Sequence, residues 1–503
     1  MRILMLGWEF PPFIAGGLGT ACAGLTKAMV AQGHEITFVF PQPIPPGHQS
    51  HVKLIGPTVL KDRIQAIRSA DSGSHPIITH QVKQPGRSVT SRILSETEII
   101  QTTDVETLER HQVSMPCSYP SSYPGVDAGD VLRKVVQQIQ SVTTHQSYTE
   151  SVTKSDPQGQ TATILHGLQS SDASTLADTM QDALDSLGEL GTGSKGYSGD
   201  LFSDADSYAR LACALCMHEQ FDVIHAHDWL TYPAGIAVKA LTGKPLVCHI
   251  HATEFDRSGE HINQQVYDLE RIGMHAADRV IAVSRLTKAV VHNKYGVPDN
   301  KIDVVYNGVE QSEVQPHAGT AIENDEKIVL FLGRITMQKG PEYFIRAAKR
   351  VLEVYPKVKF VVAGSGDMAV RMIEDAAAQG IGHKVLFTGF LRGRDVDKVY
   401  AMADCYVMPS VSEPFGIAPL EAMRNDTPVI VSKQSGVAEV LTHALKVDFW
   451  DVDEMANKIV AVLKYPPLSK TLTEHGRFEL RGLTWGGASE KTVKSYARAI
   501  AGM

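Results

Sequence analysis

The sequence predicts an α/β protein made of two doubly wound parallel sheets. Short apolar runs, typical of buried strands, alternate with amphipathic runs, typical of helices, between residues 221 and 306. The same alternation begins again at Lys327, after a polar linker at residues 311–325. A further strand–helix–strand unit with a glycine-rich turn opens the chain at residues 1–40. These three observations indicate parallel strands joined by helical crossovers.

Composition sets limits on the function. The 503 residues suffice for two or three domains, and 43% hydrophobic with 21% charged residues is ordinary for a globular enzyme. The formal net charge of −8 excludes a general basic surface for nucleic acid, although a local basic pocket stays compatible with it. No window approaches the ~18 apolar residues of a membrane helix. The first residues predict a strand and not a signal peptide, so a cytoplasmic protein is expected.

The first βαβ unit contains a glycine-rich turn. Strands are predicted at 2–6 and 36–40, with a helix at 20–32 between them. Gly16 and Gly17 precede that helix, where glycines let backbone amides approach a ligand and the helix dipole favours negative charge. The alternative is an ordinary turn of such a sheet without a ligand.

Residues 58–198 are the least informative part of the chain. They are rich in Ser, Thr, Gln and Asp, and helical periodicity is confined to 131–142 and 174–187. A structureless loop of this length is uncommon in a compact domain. We expect an insertion on the first domain.

The remaining predicted elements follow in order. Between 199 and 310 the helices are expected at 204–219, 230–241 and 264–277, and the strands at 221–225, 245–250, 279–283 and 301–306. A further helix is expected between Ser284 and the last of these strands. After 327 the strands are expected at 328–332, 359–363, 385–388, 405–408 and 428–432, and the helices at 342–354, 368–379, 452–463 and 487–501.

Two acids lie in the unit at 404–435, which is predicted to fold as strand, loop, helix and strand. Glu413 lies in the loop and Glu421 is expected about two turns into the helix, so both can face one crevice. Ligands of parallel sheets bind at the carboxyl ends of the strands. The alternative for Glu421 alone is a solvated charge on a helix surface.

Two cations lie in the first turn of the second domain. Arg334 offers a planar fork for phosphate oxygens and Lys339 adds a compact charge, and a separation of five residues lets both reach one diphosphate. The alternative is a pair of solvated surface cations.

These motifs together carry a resemblance to a known family. The spacing Glu413-x7-Glu421 within SEPFGIAPLEAM resembles the signature of retaining nucleotide-sugar glycosyltransferases of family 4, which have the GT-B fold and are related to glycogen and starch synthases. GWEFPP and HAHDW also resemble the synthases. The chain departs from the bacterial starch-type pattern because Ile14-Ala15 stands where those enzymes have Lys-Thr before the two glycines. The resemblance covers about 1–57 and 199–503.

The resemblance implies two Rossmann-like domains facing a cleft. Residues 1–310 would form the N-terminal, acceptor-side domain with the insertion at about 58–198. Residues 311–484 would bind the nucleotide sugar, and 485–503 would form a helix returning to the first domain.

The resemblance also implies roles for single residues. Arg334 and Lys339 would bind the donor diphosphate, Glu413 would lie near the donor sugar, and Glu421 would receive the ribose hydroxyls. His251, at the end of a strand, would contact the donor sugar near the reacting carbon, with His249 as its rival on the same strand. Further donor contacts are expected from Gly16, Gly17, Gly364, Leu391, Phe415, Gly416 and Ile417.

The acceptor side is predicted from fewer signals. Trp229 could stack on a sugar and Asp228 could bind its hydroxyls, although a capping Asp and a core Trp remain the alternative. Asp256 and Arg257 could contact the acceptor or close the cleft.

The predicted function is a retaining transferase that moves a hexosyl unit, with glucosyl as first choice, from ADP- or UDP-glucose. An α-glucan is the first choice of acceptor, with a sucrose- or trehalose-like sugar or a lipid as alternatives. No cofactor and no metal are expected, because Asp451-Val452-Asp453 predicts a helix cap and not a metal motif. An epimerase, a phosphorylase and an inactive sugar-nucleotide sensor are the other classes. The sequence does not indicate the oligomeric state.

Overall fold

The structure, a computed structural model, describes residues 1–13, 16–45, 47–71, 91–95, 98–101, 151–155, 161–165, 170–185, 201–310 and 326–502. The chain divides into two compact units. One contains Met1–Trp8 and His34–Leu246, and the other contains Glu9–Gly33 and Val247–Met503. The domain limits expected at residues 310 and 484 stay a prediction.

Seventeen strands lie in the described part of the chain. They are β1 (Arg2–Leu6), β2 (Glu35–Val39), β3 (Lys53–Ile55), β4 (Ser91–Ser95), β5 (Glu98–Gln101), β6 (Ser151–Ser155), β7 (Thr161–Leu165), β8 (Val223–His227), β9 (Leu246–Ile250), β10 (Arg279–Ala282), β11 (Ile302–Val304), β12 (Lys327–Leu332), β13 (Val358–Ala363), β14 (Val385–Gly389), β15 (Cys405–Met408), β16 (Val429–Ser432) and β17 (Leu445–Val447).

Fifteen α-helices lie in the same part of the chain. They are α1 (Gly17–Ala31), α2 (Pro57–Asp71), α3 (Ser170–Asp185), α4 (Leu201–Cys216), α5 (Tyr232–Thr242), α6 (Glu254–Ser258), α7 (Gln264–Ala276), α8 (Arg285–Tyr295), α9 (Pro341–Val354), α10 (Ala369–Ala378), α11 (Arg394–Met402), α12 (Ala418–Arg424), α13 (Val452–Lys464), α14 (Pro466–Leu480) and α15 (Trp485–Ala501).

Two sheets confirm the predicted fold class. The first has seven strands in the order β11-β10-β9-β8-β1-β2-β3, and the second has six in the order β14-β13-β12-β15-β16-β17. In the first sheet Ile3 is paired in parallel register with Ile36 and with Val223. In the second, Val329 is paired in parallel register with Phe360 and Cys405. The order of both sheets reverses at a central strand, which is the pattern of two Rossmann-like domains.

The second sheet is covered on both faces, as the run of apolar residues in β12 requires. Ile328 and Leu330 belong to one buried core, and Val329 and Phe331 belong to the other. Successive side chains of a strand point to opposite faces, so each face of the sheet needs its own helical layer. A strand whose residues are apolar on both faces therefore indicates a parallel sheet covered by helices on both sides.

The predicted elements agree with most of the structure, and the exceptions are a shifted strand start and several short or proline-initiated elements. β8 begins two residues later than the expected strand at 221–225, and Asp222, just before it, accepts a hydrogen bond from the Arg2 N–H through its carboxylate at 2.8 Å. The helices α2, α6, α11 and α14 and the short strands β3 and β17 were not predicted. Pro466 and Pro467 resemble a turn in sequence, yet proline is compatible with the first turn of a helix, where α14 places them.

The expected insertion is described only in part. The helix α3 confirms the helix expected at 174–187, and it packs against α2. Two antiparallel hairpins, β4-β5 and β6-β7, also lie in this segment. The helix expected at 131–142 lies outside the described residues.

The last helix packs against the helix of the first βαβ unit and against a later strand of the same sheet. α15 contacts α1 and β10. At Gly24 of α1 a Cβ atom would lie 2.2 Å from the ring of Trp485, so only glycine permits this approach. Thr484 caps α15 by accepting a hydrogen bond from the Gly487 N–H at 3.0 Å. Among the described helices, none combines the length and apolar character needed to cross a membrane.

Candidate functional site

The loop that follows β15 holds Glu413 by its backbone. The Glu413 N–H donates to Gln434 O at 3.0 Å, and its C=O accepts from the Gly436 N–H at 2.9 Å. Gly416, in the same loop, has φ +99°, and a Cβ there would lie 3.1 Å from Glu413 Cγ. Two backbone hydrogen bonds and a glycine-dependent turn therefore fix the position of this acid.

The Glu413 carboxylate has two side-chain partners. Lys339 Nζ donates to Oε2 at 2.5 Å, and the buried Ser410 Oγ donates to the same oxygen at 3.1 Å. Glu413 itself is only 7% exposed. A buried carboxylate requires such partners, because an unpaired charge in this position would be costly.

The turn that carries Lys339 is fastened to the Glu413 loop. Gln338 O accepts a hydrogen bond from the Val411 N–H at 2.9 Å. Gly340 is left-handed, with φ +62°, and a Cβ there would lie 2.3 Å from Pro409 O. The close approach of the two backbones brings the cation and the acid together.

Arg334 differs from Lys339 in its surroundings. Its side chain is exposed, and it forms no hydrogen bond or ion pair with a described residue. The loops beside it are tightly packed, because a Cβ on Gly364 would lie 1.9 Å from Gly333 O. Gly364 has φ +141° and donates its N–H to Gly389 O at 2.9 Å. The guanidinium is therefore available to an anionic ligand while its backbone is fixed.

Glu421 lies in the first turn of α12 and not two turns into it, because the helix begins only at Ala418. Its half-buried carboxylate accepts a hydrogen bond from the buried Tyr400 hydroxyl at 3.3 Å. Burial raises the pKa of Glu421 above its usual value, and the nearby Arg424 opposes that shift. Burial also raises the pKa of Tyr400 well above its usual value, so its hydroxyl stays a donor.

The other residues expected near the donor occupy different environments. Phe415 is buried, its ring lies 6.0 Å from that of Tyr306, and its C=O accepts from the Val437 N–H at 2.8 Å. Ile417 and Leu391 are half-buried and pack against the same core. The Phe415 side chain thus belongs to the core.

His251 directly follows β9. Its ring stacks on His249 with the centroids 4.1 Å apart. Burial lowers the pKa of His251 to about 3. The imidazole is therefore neutral at physiological pH, and it can take part as a hydrogen-bonding group but not as a cation.

Asp256 and Arg257 already have protein partners. Asp256 forms a capping box with Thr253 at the start of α6, and its Oδ1 accepts from Ser412 Oγ at 2.6 Å. Arg257 forms an ion pair with Glu270 and donates to Ala252 O at 2.9 Å. Their expected contact with an acceptor stays a prediction.

The glycine-rich turn before α1 interacts with an acid, Glu9, that no sequence pattern indicates. Glu9 Oε2 accepts a hydrogen bond from the Gly19 N–H at 3.2 Å, and a Cβ on Gly16 would lie 2.6 Å from the same oxygen. Gly16 is the N-cap of α1, and Gly17 is exposed. The N-terminus of α1 thus binds the Glu9 carboxylate, and a negative charge is what a helix N-terminus favours.

Asp228 and Trp229 follow β8. Asp228 has φ +58°, and its C=O accepts from the Thr231 N–H at 3.0 Å. Trp229 is 6% exposed, with its ring 5.6 Å from that of Phe202. The buried indole is consistent with the core alternative, and stacking on an acceptor stays a prediction.

The expected N-cap at Asp451 is confirmed, because its side chain accepts from the Glu454 N–H at the start of α13. Ser410, Ser412, Tyr400 and Glu9 were not predicted. Each is an isolated polar residue without a spacing pattern. Its hydrogen-bond partner can be identified only once the fold brings the two segments together.

Three family models match the chain in succession. They are a starch synthase catalytic domain at residues 2–81, glycosyltransferase family 4 at 197–313 and glycosyl transferases group 1 at 315–478. A relative named an uncharacterised glycosyltransferase, from Methanocaldococcus jannaschii, is 34% identical over 301 residues, which cover 56% of this chain and 76% of the relative. A glycogen synthase of Mycobacterium tuberculosis is 27% identical over 289 residues, covering 56% and 70%.

Solved structures agree in fold. Sucrose-phosphate synthase from Thermosynechococcus elongatus matches over 100% of both chains with a TM-score of 0.63 and 16% identity. The catalytic domain of starch synthase IV from Arabidopsis thaliana matches over 99% of both chains with a TM-score of 0.57 and 14% identity. At these identities the likeness concerns the fold alone.

Proposed function

Because this chain belongs to the glycosyltransferases of the GT-B fold related to glycogen and starch synthases, we propose that it is a retaining hexosyltransferase using a nucleoside diphosphate sugar. The observation that carries the proposal is the ion pair between Lys339 and the buried Glu413, with the exposed Arg334 on the same β12–α9 connection as Lys339. A cation held in place and a second one without a protein partner form a site that suits a diphosphate.

The two cations would act on the leaving group. Arg334 binds phosphate oxygens as a fork, and Lys339 adds a charge whose position is set by Glu413. As the glycosidic bond to the donor breaks, negative charge grows on the diphosphate, and fixed cations stabilise it without reorganisation. In this proposal the leaving phosphate accepts the proton of the acceptor hydroxyl while the new bond forms on the same face. No metal or cofactor is part of the proposal.

The remaining groups would orient the donor. Glu421 would accept hydrogen bonds from the ribose hydroxyls, and its link to Tyr400 limits the directions its carboxylate can take. The neutral His251 would hydrogen-bond the donor sugar. The backbone at Gly416, Ile417 and Gly364 would contact the sugar or the phosphate. In this arrangement the protein binds and aligns the reactants, which is a large part of catalysis in group transfer.

ADP-glucose or UDP-glucose is the proposed donor, and an α-glucan is the first proposed acceptor. The matches to a starch synthase domain and to a glycogen synthase support this choice. A small acceptor is the second candidate, supported by relatives named D-inositol 3-phosphate glycosyltransferase at 27% to 29% identity. A lipid acceptor and an epimerase are retained as outcomes of the test.

The test is a panel of donors and acceptors. The protein is incubated with ADP-glucose or UDP-glucose and with glycogen, maltose, fructose, inositol phosphate or a lipid that carries a free hydroxyl group. Transfer with an α-linked product, established by NMR of the new anomeric centre, is expected. A β-linked product would contradict retention. Turnover of the donor with no transfer product from any acceptor would favour the epimerase, and binding without turnover would favour a sensor.

A further inference from the structure

A single carboxylate connects the turn after His251 with the loop of Glu413. Asp256 Oδ2 accepts from the Thr253 N–H and from Thr253 Oγ1, each at 2.7 Å. Its other oxygen, Oδ1, accepts from Ser412 Oγ at 2.6 Å. The Asp256 residue is 7% exposed, so both oxygens have their hydrogen bonds away from bulk water. Charge-assisted hydrogen bonds of this length are among the stronger ones in proteins.

The contact joins segments that are far apart in sequence. Asp256 lies in α6, five residues after His251, and Ser412 immediately precedes Glu413. The separation between Asp256 and Ser412 is 156 residues. One rigid capping box therefore positions the backbone on the N-terminal side of Glu413.

A second contact lies on the other side of Glu413. Thr287 Oγ1 donates to Pro414 O at 3.3 Å, and a Cβ on Gly436 would lie 2.4 Å from Ser284 Cβ. The backbone of the Glu413 loop is thus held on both sides by residues of the segment 253–287. The Ser412 contact is the shorter of the two hydrogen bonds, and it alone involves a charged group.

We propose that Asp256 and Ser412 are positioning residues, which fix the position of Glu413 relative to the turn that follows His251. Neither needs to touch the donor or the acceptor. Asp256 fixes the Ser412 hydroxyl, and the fixed backbone places the Glu413 carboxylate against Lys339. This inference rests on the proposed function for its kinetic readout, but its structural readout does not need an active enzyme.

The experiment compares Ser412→Ala, Asp256→Ala and the double variant. The kinetic measurement is hydrolysis of the donor without acceptor, followed by transfer to the acceptor found for the wild type. Each single substitution is expected to lower kcat roughly 10- to 100-fold, since small misplacements of an aligned group have effects of that size. The double variant is expected to be no worse than the poorer single one, because the two residues act through one contact.

The structural measurement is amide hydrogen exchange of the peptide that contains Glu413. Both single variants are expected to exchange faster than the wild type there, and the double variant should match them. Ser412→Thr keeps the hydroxyl and should restore both readouts. Asn263→Ala is the control, because it removes the cap of the neighbouring helix α7 without touching Ser412.

Several outcomes would overturn the inference. Additive losses in the double variant would show that the residues act independently. A higher KM for the acceptor with unchanged donor hydrolysis would make Asp256 an acceptor contact. Unchanged exchange at Glu413 in Asp256→Ala would remove the proposed link. If the wild type turns over no donor, the proposed function fails, while hydrogen exchange still decides this inference.

Discussion

Lys339 and Glu413 are 74 residues apart in sequence and form an ion pair of 2.5 Å. Lys339 is partly exposed and Glu413 is almost fully buried, with side-chain exposures of 21% and 9%. Loss of the ion pair would therefore cost the buried Glu413 carboxylate more than the partly exposed Lys339 ammonium. The Lys339 ammonium could donate some of its hydrogen bonds to a bound diphosphate, while Ser410 continues to donate to the Glu413 carboxylate.

The first prediction concerns this lysine. Lys339→Ala is expected to lower kcat/KM for the donor by roughly 100-fold or more, because a fixed cation on a leaving group contributes several kcal/mol. Steady-state kinetics with the active donor measure the effect. Lys398→Ala is the matched control, since Lys398 forms an exposed pair with Asp395 on α11. Equal losses in both variants would argue against a specific role for Lys339.

The second prediction concerns Glu421 and the ribose. Glu421→Ala is expected to raise the donor KM about tenfold, which is the weight of one hydrogen bond to a charged group. With a donor that lacks the ribose hydroxyls, the same substitution should change KM little. Glu374→Ala, an exposed acid on α10, is the control. A loss of the same size with both donors would assign Glu421 to another role.

Much of the fold could be predicted from the sequence because its strands are continuous apolar runs. β1 and β15 have the bounds that their side-chain pattern predicts. The helices α11 and α14 were missed because a glycine and two prolines at their starts resemble turns. Helices begin directly after Gly393 and at Pro466 because of tertiary packing, which the local sequence does not show.

The candidate site could be predicted only where a motif has a fixed spacing. Lys339 and Glu413 were expected in one site, and the structure places their side chains in contact. Phe415 has its side chain in the core, which spacing alone does not reveal. Ser410 and Ser412 act through segments that come together only in the fold, so no local pattern indicates them.

The third prediction concerns Gly364, where a positive φ and a close contact coincide. Gly364→Ala is expected to lower the free energy of unfolding by roughly 3 kcal/mol, because backbone strain adds to a clash with Gly333 O. Gly380→Ala is the matched control: φ is +73° there, but nothing lies within 4 Å of the new Cβ, so about 1 kcal/mol is expected. Chemical denaturation measures both. Equal costs would show that the contact with Gly333 contributes nothing.

The fourth prediction concerns the pH dependence of stability at His251. Burial lowers its pKa to about 3 in the folded protein, whereas the unfolded chain has the ordinary value of 6.5. Between these two values only the unfolded state binds the proton, so His251 makes the protein less stable as the pH falls below 6.5. At pH 7 and above this effect is absent.

His251→Asn removes this titration and provides the test. The free energy of unfolding of the wild type, minus that of the variant, is expected to fall by about 2 kcal/mol between pH 7 and pH 5. Denaturant unfolding at several pH values measures the difference, and His251→Gln provides a second replacement that does not titrate. Parallel curves for wild type and both variants would mean that the imidazole is charged as readily in the folded protein as in the unfolded chain. A neutral His251 could then no longer be assumed at the proposed donor sugar.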